Sequence, residues 1–234
     1  LVFYDAAHAL GARRGGKFVG GFGNAEVFSL NITKTVPSCG EGGVVTTNND
    51  EIAEYMRLAR WHGDVPGSQD WNTDGMNAKP TEWQAIVALR SLENMDAVLV
   101  QRCDVAAIYD QELDLKMVRP FHPHGDLGCK IGEEHGHKDY AVRCASATVR
   151  AKVEAELRAA GVECKSYFNP AAPDFTAMRV LSAGLEAFGP QAEVLHSATV
   201  ARALAETILC LPIYSTLSEQ DQLRVVEAVQ RGAR

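Results

Sequence analysis

No dense run of Lys or Arg occurs in this chain; Arg13, Arg14 and Lys17 come nearest, and the formal net charge is -7. A nucleic-acid or anionic-membrane partner calls for a basic patch, so neither is expected. No apolar stretch approaches the length that crosses a bilayer. A basic start, an apolar run and a small-residue cleavage site are also lacking, so no secretory signal is read. The cysteines, at 39, 103, 129, 144, 164 and 210, form no C-x-x-C pair. Their scatter predicts reduced thiols in a cytoplasmic protein, not a disulfide framework or a zinc site. Gly20-Gly21-Phe22-Gly23 lacks the following helix that a dinucleotide fingerprint needs. No internal repeat is present. His122-Pro123-His124 and His135-Gly136-His137 lie in a Gly/Pro-rich stretch without Cys or well-spaced acids. They read as surface loop, and no metal is expected.

Hydrophobic residues make up 46% and charged residues 23% of the 234 positions, which is the composition of a folded globular protein large enough for one big domain or two smaller ones. Leu1-Val2-Phe3-Tyr4-Asp5 has the pattern of a buried strand from the first residue. Termini usually sit at the surface, so further sequence is expected upstream. Strands are predicted at 26–30 and 44–47. A helix over 51–60 follows Asn48-Asn49-Asp50 as N-cap. A loop over 62–80 leads into a long helix from Thr81-Glu82. Its apolar residues Trp83, Ile86, Val87, Leu89, Leu92, Met95 and Val98 are spaced mostly by three or four, a face for core or dimer packing. Helix is again predicted to about 113. Beyond it come a strand at 140–144, a helix at 149–160 closed by Gly161, a strand at 163–168, a helix at 198–207, a strand at 208–211 and a helix at 218–231. The division expected is an α/β part over 1–95 and a smaller α+β domain over 96–234.

Residues with chemistry to offer come in a fixed order near the start. Asp5-Ala6-Ala7-His8 ends the first strand, Phe28-Ser29 ends the second, Lys34 follows, and Gly40-Glu41-Gly42-Gly43 makes a tight turn. Strand ends are where α/β folds place ligands. Pyridoxal-phosphate (PLP) chemistry asks for this set of groups. An amine forms the Schiff base, a carboxylate keeps the pyridine nitrogen protonated, donors hold the phosphate, and further polar groups orient substrate.

Asp5-Ala6-Ala7-His8-Ala9-Leu10-Gly11-Ala12, Phe28-Ser29 with Lys34, Gly40-Glu41-Gly42-Gly43 and Val45-Thr46-Thr47-Asn48 resemble the DegT/StrS family of PLP-dependent sugar aminotransferases. Arg60-Trp61-His62-Gly63, Met76-Asn77-Ala78-Lys79 and Leu211-Pro212-Ile213-Tyr214 extend the similarity from residue 1 to about 230. The first block carries most of the specificity, because its motifs stand in order at the family's spacing.

The resemblance implies fold type I (aspartate-aminotransferase-like), with this chain spanning the C-terminal part of the large PLP domain and the small domain. It implies that Lys34 forms the Schiff base and carries the proton, that Asp5 binds the pyridine nitrogen, and that His8 lies beside the ring oxygen or that aspartate. Ser29 would hold the phosphate. Asn77 would reach the phosphate of a neighbouring subunit, in a homodimer with shared sites. Glu41 has either a structural role or a substrate contact. The implied reaction moves an amino group, from L-glutamate, to a keto group of a nucleotide-linked deoxysugar by way of pyridoxamine phosphate. A related sugar dehydratase is disfavoured by Lys34, which such relatives tend to lack. A non-catalytic fragment or subunit of a split enzyme is the other alternative. Asn31, Ala78, Lys79 and Pro80 depart from the family pattern, and these departures bear on the substrate.

Overall fold

The computed structural model describes residues 1–64, 67, 73–113, 116–121, 136–185 and 198–234. The chain divides into two compact units. One is Leu1–Cys103 with Cys129–Lys138, the other Asp104–Gly128 with Asp139–Arg234.

The first unit holds β1 (Phe3–Asp5), β2 (Arg13–Arg14), β3 (Lys17–Phe18), β4 (Ala25–Ser29), β5 (Gly43–Thr46), α1 (Asp50–Ala59), α2 (Glu82–Glu93) and the start of α3 (Met95–Glu112). β1, β4 and β5 form a sheet in that order. β1 runs parallel to β4, with Asp5 opposite Val27, and β5 runs antiparallel to β4. Alternation sorts β4: Glu26 and Phe28 are buried on one face, and Val27 is exposed on the other. The expectation of a buried first strand is corrected, because Phe3 is 60% exposed and Tyr4 46%. Among the described residues β1 pairs with β4 alone, so its apolar pattern marks strand type and not burial in this chain.

The Asn49 side chain caps α1 by accepting from the Ile52 amide, with Asp50 and Glu51 in the first turn favouring the helix dipole. Thr81 and Gln84 form a capping box at the start of α2: the Thr81 amide donates to Gln84 Oε1 at 2.8 Å, and the Gln84 amide to Thr81 Oγ1 at 3.3 Å. α2 ends at Glu93, and Asn94 separates it from α3, so the long predicted helix is two. The apolar face of α2 is open in this chain, with Trp83 75% and Leu89 60% exposed.

The second unit is built on a sheet of β6 (Val118–Pro120), β7 (Tyr140–Cys144) and β8 (Ile208–Leu211), antiparallel throughout in that order. Its helices are α4 (Ala147–Ala159), α5 (Thr176–Leu185), α6 (Thr199–Thr207) and α7 (Glu219–Gly232), with a short 3-10 turn at Ala172–Asp174. Tyr140, Val142 and Cys144 alternate into the core, where they meet Leu209, Val153, Leu157, Val225 and Val229. α4 and α7 pack at close range. A Cβ on Gly232 would stand 2.5 Å from the Val153 Cα, so glycine permits the approach. Ser218 caps α7, accepting from the Asp221 amide at 3.2 Å. Gly161, at φ +72, follows α4 as expected. The strand predicted at 163–168 reduces to one bridge, Lys165 with Cys210, because the chain turns from Tyr167 onward.

Cys103 is disulfide-bonded, which corrects the expectation of reduced thiols at that position; Cys39, Cys144, Cys164 and Cys210 are free. His122, His124 and His135 lie outside the described residues. His137 is buried, against the surface-loop expectation. Among the described residues, no helix is long and apolar enough to cross a membrane, and no group of three or more His, Cys, Asp or Glu could hold a metal ion.

Candidate active site

Asp5 ends β1 and Ser29 ends β4. The parallel register pairs Asp5 with Val27, two residues before Ser29, so Asp5 and Ser29 share a face of the sheet. The Ala7 amide donates to Asp5 Oδ1 at 3.1 Å, and the residue is exposed. Oδ2 makes no hydrogen bond among the described residues and is open to a further donor. The chain then folds into two successive turns, with the Ala9 amide donating to the Ala6 carbonyl and the Ala12 amide to the Ala9 carbonyl, both at 2.9 Å. His8 projects from this stretch and is exposed.

Ser29 Oγ accepts from the Asn31 amide at 3.2 Å, which leaves its hydroxyl hydrogen to donate. Lys34 sits half-buried in the loop that follows, its amide donating to the Asn31 carbonyl at 2.9 Å. That loop is fastened at many points. The Leu30 amide donates to the Gly42 carbonyl at 2.8 Å, and the Ser38 amide to the Leu30 carbonyl at 2.7 Å. Thr35, Val36 and Ser38 are buried around the lysine.

Asn31, one of the departures from the family pattern, is a hub of this loop. Its Oδ1 accepts from the Thr33 amide at 2.9 Å and from the Thr33 hydroxyl at 2.8 Å, and its Nδ2 donates to Glu41 Oε1 at 2.7 Å. The Glu41 carbonyl accepts from Gln84 Nε2 at 2.8 Å and from Ser38 Oγ at 3.1 Å. Glu41 therefore ties the lysine loop to the start of α2.

Asp5, His8, Ser29 and Lys34 thus lie on the segments leaving the C-terminal ends of β1 and β4. Asn77 belongs to a separate crossing of two segments, opposite Trp61. There the His62 amide donates to the Met76 carbonyl and the Ala78 amide to the Arg60 carbonyl, both at 3.0 Å. A Cβ on Gly63 (φ +76) would meet the Thr73 carbonyl oxygen at 2.0 Å, so only glycine lets the segments cross. Lys79 Nζ lies 2.8 Å from His62 Nε2 and 4.1 Å from the Trp61 ring centre.

Two features escaped the sequence reading. Glu26, buried in β4, accepts through Oε1 from the Phe22 and Gly23 amides and so fixes the Gly-rich turn. Arg102, buried in α3, holds the carbonyls of His137 and Lys138. An acid inside an apolar strand and an arginine inside a helix were the signals, but their partners are set by tertiary packing.

The fold of this chain is that of the fold type I PLP-dependent transferases. The chain belongs to the DegT/DnrJ/EryC1/StrS aminotransferase family, whose profile matches residues 1–230. Among its relatives, GDP-perosamine synthase of Caulobacter vibrioides is 34% identical over 238 residues, covering 99% of this chain and 58% of that protein. A dTDP-3-amino-3,4,6-trideoxy-alpha-D-glucose transaminase of Micromonospora megalomicea is 32% identical over 230 residues, covering 97% of this chain and 57% of that protein. Among solved structures, DesV of S. venezuelae, in complex with a ketimine intermediate, superimposes with a TM-score of 0.82 at 27% identity, covering 99% of this chain and 57% of that one. The chain therefore spans somewhat over half the length of the relatives it matches.

The family's cofactor is pyridoxal 5'-phosphate. The donor set fits it. Asp5 Oδ2 could accept a ring N–H, the Ser29 hydroxyl has a hydrogen that a phosphate oxygen could accept, and Lys34 bears a primary amine of the kind a Schiff base needs.

Proposed function

We propose that this chain carries the lysine-bearing part of a PLP-dependent aminotransferase that moves an amino group from L-glutamate to a keto group of a nucleotide-linked deoxysugar. The observation that carries the reading is the placement of Asp5 and Ser29 at the ends of two parallel strands, with Lys34 in the loop that follows Ser29, in a chain of this family. The nucleotide-sugar substrate is supported by the names of the two relatives, one GDP-linked and one dTDP-linked.

The cofactor supplies an electron sink for the charge that develops at the amino-bearing carbon. Asp5 would accept the pyridine N–H and keep that nitrogen protonated. His8 would stand near the ring oxygen or Asp5. Ser29 would donate to the phosphate. Lys34 would hold the cofactor covalently, and its Nζ, once released, would take the proton from the donor's α-carbon. Asn77 reaches the phosphate of a neighbouring subunit, so the active form is a homodimer with shared sites. In this reading residues 1–95 are the C-terminal part of the PLP-binding domain and 96–234 the small domain, and the enzyme works in the cytoplasm.

The test is a two-stage assay on protein loaded with PLP. L-Glutamate alone is expected to yield 2-oxoglutarate in an amount limited by the protein. Addition of a nucleotide-linked keto deoxysugar then makes turnover continuous and yields the amino sugar, detected by mass spectrometry. Loaded protein that releases no keto acid from any amino donor would contradict the reading.

A further inference from the structure

The stretch Asp5–Ala12 bears two of the groups assigned to the cofactor; the Ala6 amide donates to the Val27 carbonyl and the Val19 amide to the Ala12 carbonyl, both at 2.9 Å, and between these two ends the backbone folds into short-range turns. What holds it in place comes from elsewhere in the same unit. Met95, Leu99 and Arg102 follow one another at i, i+4 and i+7, so they share one face of α3. Met95 and Leu99 pack on Gly11. A Cβ there would stand 2.7 Å from Leu99 Cδ1 and 3.3 Å from Met95 Sδ, and Gly11 has φ +86. Arg102, one turn further, is 7% exposed, and its Nη1 donates to the His137 carbonyl at 2.7 Å and the Lys138 carbonyl at 3.3 Å. The residue before them, Gly136, lies against the backbone of the same turn. A Cβ on it would be 3.2 Å from the Leu10 carbonyl oxygen and 3.8 Å from that of His8.

We propose that Arg102 is a positioning residue for the cofactor-holding turn: by fixing the 136–138 backbone behind His8 and Leu10, it clamps Asp5–Ala12 between that segment and α3. The assignment of Asp5 and His8 to the cofactor rests on the function proposed above; the clamp itself does not. The guanidinium suits the task because its planar donors reach two successive carbonyls, and its charge strengthens each bond. Gly136 completes the contact, since any side chain there would push on the Leu10 carbonyl. Neither residue touches the reacting atoms, so both act through the turn.

The experiment is amide hydrogen exchange over residues 6–12 and 136–138, without cofactor, in the wild type, Arg102→Met, Arg102→Lys and Gly136→Ala, followed by PLP titration of each. Arg102→Met and Gly136→Ala are expected to speed exchange at Ala9 and Ala12 on the order of tenfold and to weaken PLP binding on the same scale. Arg102→Lys, which keeps a charged donor, restores part of the protection. Gly136→Ala removes no hydrogen bond, so it decides the matter should Arg102→Met fail to fold. Faster exchange confined to 136–138, with Ala9 and Ala12 as protected as in the wild type, overturns the proposal. A wild type that does not attach PLP to Lys34 overturns the functional reading alone, because the exchange measurement needs no cofactor.

Discussion

Lys34→Ala is expected to lower amino transfer by at least about 10²- to 10⁴-fold, the share a positioned proton carrier supplies by itself. Covalent attachment to the cofactor is lost as well, so the true loss lies at or beyond the upper end. The side chain is half-buried in a loop held by the Leu30–Gly42 and Ser38–Leu30 backbone bonds. Those bonds remain in the variant, so it should still fold, and a thermal melt measures any loss of stability apart from the loss of turnover. Added small primary amines should recover part of the rate by standing in for the missing base. Lys34→Arg should not restore it, because a guanidinium stays protonated and gives no nucleophile. Steady-state kinetics with L-glutamate beside a thermal melt separates the two effects. An alanine variant with wild-type turnover would remove Lys34 from the mechanism.

Leu209→Ala is expected to destabilise the second unit by about 2–5 kcal/mol. Leu209 is fully buried in β8, opposite Val142 of β7, and belongs to the cluster with Val153, Leu157, Val225 and Val229. Deleting its branched end removes burial and leaves a cavity that two strands and two helices cannot collapse to fill. A change of that size lowers the folded-to-unfolded ratio by roughly 30- to 5,000-fold. Urea unfolding followed by circular dichroism measures it. Leu223→Ala, on the exposed face of α7, is the matched control and should shift the midpoint little. Equal shifts for the two variants would contradict the core described here.

The strand ends that carry Asp5 and Ser29 were legible in the sequence because their signals are local. Asp5 and Ser29 each end a β pattern, and Lys34 follows at short range, so little tertiary knowledge was needed to line them up. The helices capped at Asn49, Thr81 and Ser218 were equally readable for the same reason, whereas the Ser146 cap of α4 was not read. Burial was not. Leu1–Tyr4 has an apolar strand pattern, but pattern reports the type of element and not whether a neighbour covers it. The break at Asn94 was hidden because the apolar spacing runs across it without interruption. β6 was missed because Val118–Pro120 is too short to show a period. Arg102 and Glu26 were missed since each bonds to backbone groups, distant in sequence for Arg102, and backbone partners leave no residue signature.

The central claim is that Lys34 is the residue that holds PLP. Adding PLP to the purified protein, reducing with borohydride and mapping the peptides tests it most directly. The account predicts a visible absorbance that reduction abolishes, with the cofactor's mass on the peptide bearing Lys34 and nowhere else. The mass on another lysine, or on none, would contradict it.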